Sequence, residues 1–384
     1  MEVRASAPVA ESDDVYRAVA SEAQRHAGTW FPEFEGRQVR TKLLRREQRP
    51  RCLLYWIGVG DGRTSRNVVV KVRHSIPELR RVDRSEGRRP VLTPERTLPD
   101  LPTAHREYEG LRLAEHLFRD ADRERFGVLR PLAWLPEHGA IVMDHISEPT
   151  LHRVLVSQSR WRIRPLLPAA DPRPWANAGA WLRIFHRADP ALDLTQRAES
   201  RDDLIGLLAA YADFLGEQVG DRRFFTELAD VASHQAAATL PARLPLALGH
   251  GDYTMRNLFI SPAGRVTVFD PLPLWRVPQY EDLARFVIGL RLLSVQAVTR
   301  GAAYSDEMLG RCESAFLQAY FGDEPVPPEA VRVFQVLLLL DKWGGTASKQ
   351  NRRGGVRRQL RAARVQLSHQ HYRAEARRLV ALLA

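Results

Sequence analysis

Short β-branched and alternating runs mark candidate strands between Gln38 and Ile146, and apolar positions at helical spacing mark helices from Tyr108 onward. From Asn67 to Val72 the run is β-branched with one cation inside it. Alternation puts Lys71 on the face of Val69, opposite Val70 and Val72. Gln38 to Arg45 and Arg51 to Val59 also read as strands, joined by Arg46-Glu47-Gln48-Arg49-Pro50. Gly58-Val59-Gly60-Asp61-Gly62 reads as the hairpin turn into the Lys71 strand. Ala140 to Ile146 begins as an apolar strand and breaks into polar residues.

Helical spacing appears at Tyr108, Leu111, Ala114 and Phe118, with Glu107 on the flank of that face and Glu109 directed elsewhere. Leu204, Leu207, Leu208, Tyr211 and Leu215 mark another helix, and Trp181, Leu182 and Phe185 a third. The most apolar helix, Val331 to Leu340, is interrupted by Arg332 and Gln335 and is too short to span a bilayer. Strands first and helices later predict an α+β fold.

The chemistry is concentrated in His250-Gly251-Asp252-Tyr253-Thr254-Met255-Arg256-Asn257, followed by a hairpin and the strand Val266-Thr267-Val268-Phe269-Asp270. Phosphoryl transfer to a hydroxyl needs one carboxylate to orient the acceptor O–H and take its proton. It also needs an amide oxygen and a second carboxylate to hold the Mg²⁺ that bridges the nucleotide phosphates. A tight loop followed by a strand end brings such groups together. Gly-Asp and Asn alone are commonly turn residues; it is their order with the second Asp that points to a kinase.

His-Gly-Asp-x4-Asn, the Asp after a Val-rich strand, and Tyr280-Glu281-Asp282-Leu283-Ala284 together resemble the aminoglycoside phosphotransferase and choline kinase family. The resemblance implies a two-lobed, protein-kinase-like α+β fold and Mg²⁺-dependent transfer from ATP or GTP to a small-molecule hydroxyl. It implies Asp252 as catalytic base, Asn257 and Asp270 as Mg²⁺ ligands, and His250 and a buried Asp282 as structural members. It further implies Lys71 on the α- and β-phosphates, held by Glu107. In the linker, the Asp144 carbonyl and the Ile146 N–H would bind the base, with Met143 at the back of the pocket. The Gly-rich phosphate loop of protein kinases is missing from the first hairpin, which argues against a protein kinase more than against a kinase.

These readings divide the chain into an N-terminal helical extension (1–36), a nucleotide-binding lobe (37–144), a catalytic and acceptor-binding lobe (145–343) and an Arg-rich tail (344–384). Only Cys52 and Cys312 occur, so a disulfide framework and a cysteine metal cluster are excluded. Met1 to Asp14 has no apolar run for a signal peptide, and the expected location is cytoplasmic, at most peripheral to a membrane.

The net charge of +11 is uneven. From Gly345 to Ala384 ten Lys or Arg stand against Glu375, giving the tail +9. A second basic cluster lies on the first hairpin. Arg160-Trp161-Arg162-Ile163-Arg164, within Ser157 to Trp175, suits a membrane interface, an anionic ligand or a nucleic acid, or is an insertion packed on the body. Val356, Leu360, Ala363 and Leu367 give the tail one apolar face, fitting a surface helix, a dimer contact or a docked final helix. Nucleic-acid binding is disfavoured, because no helix-turn-helix, zinc-ligand or RNP-like signature accompanies the charge.

A non-catalytic pseudokinase that binds nucleic acid or membrane is the rival of another class. It has no need for Lys71, Asp252, Asn257 and Asp270 together. For the acceptor, a cationic aminoglycoside would call for the acids between Glu199 and Asp230, which fit the solvent face of helices better. The Arg-Trp segment and the basic hairpin point instead toward an anionic, glycan-like or membrane-associated acceptor, of which a sugar or glycan-like hydroxyl is favoured.

Overall fold

The computed structural model describes residues 9–49, 52–73, 89–90, 92, 100–158, 171–190, 194–196, 200–273, 275–348 and 356–383. It falls into two compact units. The first comprises Met1–Ser85, Thr97–His116 and Val128–Ser147, and the second Glu86–Arg96, Leu117–Gly127 and Glu148–Ala384.

In the first unit, helix α1 (Val9–Trp30) precedes strands β1 (Arg40–Arg49), β2 (Cys52–Gly60) and β3 (Ser65–Arg73). Helix α2 (Asp100–Phe118) and strands β4 (Pro131–Leu135) and β5 (Ala140–Asp144) follow. The sheet order is β1-β2-β3-β5-β4, with every neighbouring pair antiparallel. Val68 and Val70 point to one face, where they share a core with Val19, Ala23, Ala27 and Trp30 of α1. The N-terminal helix is therefore built into this unit's core. Each such aliphatic side chain contributes about 1.5–3 kcal/mol by leaving water. Lys71 points to the other face, opposite Ile141 and Leu54 in the register.

The first hairpin differs from expectation. β1 runs on through Arg46, Glu47, Gln48 and Arg49, so the connection to β2 is far shorter than residues 46–50. Glu47 pairs with Arg45 and with Arg49, and the Arg45 guanidinium lies 4.7 Å over Trp56. These contacts let a strongly charged segment remain a strand at the sheet's edge, where charge also discourages further strand pairing.

The second unit contains α3 (Leu151–Ser157), α4 (Arg173–His186), β6 (Thr195–Gln196), α5 (Arg201–Val219), α6 (Arg222–Thr239) and β7 (Leu246–Leu248). The hairpin β8 (Leu258–Ile260) and β9 (Val266–Val268), strand β10 (Trp275–Pro278) and helices α7 (Tyr280–Arg291) and α8 (Ser294–Val298) come next. Helices α9 (Asp306–Phe321), α10 (Pro328–Ala347) and α11 (Val356–Leu383) complete it. Gly179 permits the close approach of α4 and α9, since a Cβ there would lie 2.0 Å from the Phe316 carbonyl oxygen. Ser200 and Asp203 form a reciprocal cap at the start of α5.

The final helix is docked. Ala376 and Leu379 are fully buried, and Trp343 of α10 meets the rings of His369 and Tyr372 edge-on. Arg373 reaches Asp221 at 2.6 Å, and Arg378 pairs with Glu375. Of the apolar face read from Val356 to Leu367, only Leu367 has a described side chain, and it is half-buried. The Arg-Trp segment 159–170 lies outside the described residues; Trp175 is buried, edge-on to Phe286. Among the described residues no helix is long and apolar enough to cross a membrane.

Candidate active site

The first unit supplies a buried cation cluster. Lys71 Nζ donates to Glu107 Oε1 at 2.7 Å. Glu107 has no solvent exposure, and its Oε2 accepts from Arg73 Nε at 2.8 Å. Strand alternation explains the pairing, because Lys71 and Arg73 sit two residues apart on one face while α2 presents Glu107 to it. Arg73 was not singled out in the sequence, although the i, i+2 relation to Lys71 carries the signal. Glu109 instead lies 3.8 Å from His105 on its own helix. A carboxylate this deeply buried is tolerable because both oxygens are charge-paired.

Asp144 closes β5. Its carboxylate accepts from Arg130 at 2.6 and 3.2 Å, and its N–H donates to the Arg130 carbonyl. Ile146 lies two residues on in the extended stretch and is half-buried. Met143 is buried opposite Val69 in the register. The side chain of Asp144 thus fixes the segment to Arg130 while its backbone remains part of the strand end.

The second unit holds the Asp-Asn loop. After β7 the chain enters it through His250, whose ring is wholly buried against Trp181 and Tyr253. The His250 N–H donates to Asp282 Oδ2 at 2.6 Å. Gly251 adopts φ 85°, a left-handed conformation that favours glycine, and turns the chain outward so that Asp252 is exposed. The Asp252 N–H points back to His250 Nδ1 at 3.4 Å. Burial holds His250 below its ordinary pKa and hence neutral, with its proton on Nε2 when Nδ1 accepts.

Tyr253 anchors the loop from below, its hydroxyl donating to the Ala178 carbonyl at 2.7 Å. Asn257 spends its amide hydrogens on Asp252, on the carbonyl at 2.9 Å and on Oδ2 at 3.0 Å. Oδ1 is left as its acceptor atom. The Phe269 N–H donates to the Asn257 carbonyl at 3.0 Å, so the β8–β9 hairpin sets Asn257 beside the residue preceding Asp270. Asp270 is half-buried and has φ 57°, a conformation uncommon outside glycine and found where structure over-determines the backbone.

Beneath the loop Asp282 is almost fully buried, and His186 Nε2 lies 3.4 Å from its Oδ2. Burial alone would raise its pKa. The hydrogen bond and charge of His186, with His250 and Arg285, outweigh that and bring it to about 2. His186 in turn meets the Tyr320 hydroxyl at 2.8 Å. The sequence pointed to Asp282 but not to these partners: His186 lies 96 residues from Asp282 and 134 from Tyr320 along the chain.

Three further cations belong to this neighbourhood, and none was singled out in the sequence. Arg256 is exposed in the loop itself. Arg285 of α7 is buried and donates to Glu281 at 3.0 Å. Lys342 of α10 is half-buried, and its ammonium makes no hydrogen bond or ion pair among the described residues. Burial, then Arg285, pulls Lys342 down to about 8, while Asp252 and Asp341 act in the opposite direction.

Asn257 Oδ1 and the Asp270 carboxylate are hard oxygen donors, the kind Mg²⁺ takes. No group of three or more His, Cys, Asp or Glu among the described residues forms a metal cage. Mg²⁺ does not require one, since it keeps several waters and shares phosphate oxygens.

The described architecture, a five-stranded antiparallel sheet followed by a mainly helical region, is that of the protein-kinase-like phosphotransferases. A choline kinase from Cryptosporidium parvum Iowa II matches with a TM-score of 0.50 at 10% identity, over 94% of this chain and 95% of that one. A macrolide 2′-phosphotransferase type I matches at 0.48 and 14% identity, over 96% of each chain. A glucosamine kinase matches at 0.43 and 14% identity, over 90% of this chain and 81% of that one. No protein-family model and no curated protein sequence matches the chain. At these identities the likeness is one of fold.

Proposed function

We propose that this chain is a Mg²⁺-dependent phosphotransferase that moves the γ-phosphoryl group of ATP or GTP to a hydroxyl of a small molecule. The observation that carries the reading is the Asp252–Asn257 clamp. An exposed carboxylate is held at 3.0 Å by an amide whose oxygen remains available, at the open end of a hairpin whose next strand runs into Asp270.

Asp252 Oδ accepts the proton of the acceptor hydroxyl as that oxygen bonds to the γ-phosphorus. The bond from phosphorus to the β–γ bridging oxygen breaks, and the nucleoside diphosphate leaves with the electron pair. Asn257 fixes the carboxylate's direction through a hydrogen bond to Oδ2 and ties down the backbone of the same residue through a second to its carbonyl. Asn257 Oδ1 and Asp270 would hold the Mg²⁺, which offsets the phosphate charge when bound. Lys71, oriented by Glu107, contacts the α- and β-phosphates, and the backbone at Asp144 and Ile146 meets the base. The location consistent with this role is cytoplasmic.

For the acceptor we favour a sugar or glycan-like hydroxyl over a cationic aminoglycoside. Of the acids that would receive cationic amines, Asp203 caps α5, Asp221 caps α6 and pairs with Arg373, Glu227 pairs with Arg223, and Asp202, Asp213, Glu217 and Asp230 lie exposed on the helices. The test is a nucleotide-consumption screen with Mg²⁺ over sugars, sugar phosphates, aminoglycosides and choline-like amines, with chelator controls. Mg²⁺-dependent transfer to a hydroxyl compound supports the reading. A protein that binds neither ATP nor GTP with Mg²⁺ overturns it.

A further inference from the structure

We propose that the second unit holds a further small-molecule site between α9, α10 and α11, suited to a neutral ligand with an amide or hydroxyl head on an apolar body. The inference is independent of the phosphotransferase reading. It rests on a cleft of about 350 Å³ whose lining includes neither the loop from His250 to Asn257 nor Asp270.

The walls of the cleft fall into two layers. Glu313 of α9, Gln335 of α10 and Arg378 of α11 line it, and one helical turn away stand Leu317, Val331 and Leu382. Residues four apart share a helix face, so each helix offers one polar and one apolar residue, about 5 Å apart along its axis. Hydrogen bonds set the level of each layer. Gln335 Nε2 donates to Glu313 Oε1 at 3.1 Å, and Arg332 Nη1 to the Leu382 carbonyl at 3.0 Å. Leu317 and Val331 are buried, whereas Leu382 is left 41% exposed at the rim.

The charges around the cleft are already matched. Arg291, at the end of α7, donates to Glu313 Oε2 at 2.8 and 3.1 Å. Arg378 donates to both oxygens of Glu375 at 3.0 Å, and Arg332 lies 3.8 Å from Glu329. The exposed Asp306 adds a water-screened contact to Arg291 at 3.7 Å. An anionic head would therefore compete with these acids, and an ammonium with these guanidinium groups.

What the network leaves over is a neutral acceptor. Gln335 is 1% exposed, and its Oε1 accepts no hydrogen bond among the described residues. The Glu313 carboxylate fixes which end of that amide is nitrogen, so the spare atom is the oxygen. A buried acceptor without a partner is destabilising, and an N–H or O–H group from a molecule in the cleft removes that cost. The apolar layer then receives the body of the same molecule.

The test uses the full-length protein and four one-ring probes: benzamide and benzyl alcohol, which are neutral, and benzoate and benzylamine, which are charged. Binding is titrated by ligand-observed saturation-transfer NMR. The neutral pair should bind saturably and at least tenfold more tightly than the charged pair. Gly310→Phe should weaken benzamide binding tenfold or more without lowering the melting temperature. Gly310 lines the cleft, and a Cβ there meets nothing within 4 Å, so the ring fills the space without displacing a neighbour. Gln335→Met should reduce the preference for benzamide over toluene by a similar factor; if that variant does not fold, the probe series and Gly310→Phe still decide. Benzamide binding that Gly310→Phe leaves unchanged overturns the site. So does tighter binding of a charged probe, or no saturable binding by any of the four, in which case the cleft holds water only.

Discussion

The strand cluster of the first unit and the loop of the second handle charge in opposite ways. Lys71 is buried and shares one carboxylate with Arg73, so its charge is fixed by pairing. Asp252 is exposed, and its position is fixed by what lies beneath it: an amide clamp, a buried neutral histidine and the Asp282–His186 pair. A group that binds phosphate can be held by an opposite charge and still attract the ligand. In the proposed function Lys71 is the phosphate binder and Asp252 the base, and a base that must reach a changing acceptor cannot be so paired; the fold positions its backbone instead.

The contrast breaks most readily at the base. Asp252→Asn keeps the acceptor atom that Asn257 needs but loses the proton acceptor. Turnover should fall roughly 10²–10⁴-fold, read by steady-state kinetics. Near-normal turnover would mean that Asp252 is only a turn residue.

Glu107→Ala should instead act on stability. It strands Lys71 and Arg73 on a buried face, and removing one partner of a buried pair costs about 3–5 kcal/mol. Chemical denaturation measures this, and the nucleotide KM should rise with it. A loss well under about 1 kcal/mol would show that the cluster behaves as a surface pair.

Asp282→Ala should cost about 1–3 kcal/mol by leaving the His250 N–H without its acceptor. The pH dependence has a definite sign. The folded pKa of Asp282 is depressed from 3.8 to about 2, so its ionised form stabilises the protein above the ordinary carboxylate range. That contribution is lost as pH falls from about 4 through about 2. The melting temperature of the wild type should therefore converge on that of Asp282→Asn across this window. A constant gap would rule out the carboxylate's charge as the cause. The smallest effect belongs to Glu47→Gln on the exposed hairpin, below about 1 kcal/mol, since such pairs are screened by water.

The residues of both regions were legible in sequence wherever local period or spacing carries the information. Alternation gave the face of Lys71, and helical spacing gave the flank position of Glu107. The Asp252, Asn257 and Asp270 order named the loop. His186 and Tyr320 were not legible, because His186 reaches Asp282 and Tyr320 reaches His186 from separate helices and no local pattern records those meetings. The first hairpin departs from the sequence expectation at Arg46–Arg49, which form strand rather than connection, supported by stacking of Arg45 on Trp56 across the strands. For the tail, the sequence leaves a surface helix, a dimer contact and a docked helix open; the structure has it docked, with Ala376 and Leu379 buried and Trp343 against His369 and Tyr372, contacts that no local pattern records.

The most direct test of the division between base and metal ligand is a calorimetric titration of nucleotide with and without Mg²⁺. Asp270→Asn is compared with Asp252→Asn, Asn being chosen because it tolerates the left-handed φ of 57° at Asp270. The account predicts that Asp252→Asn retains the Mg²⁺-dependent gain in nucleotide affinity and that Asp270→Asn largely loses it. Equal Mg²⁺ dependence in the two variants would contradict it.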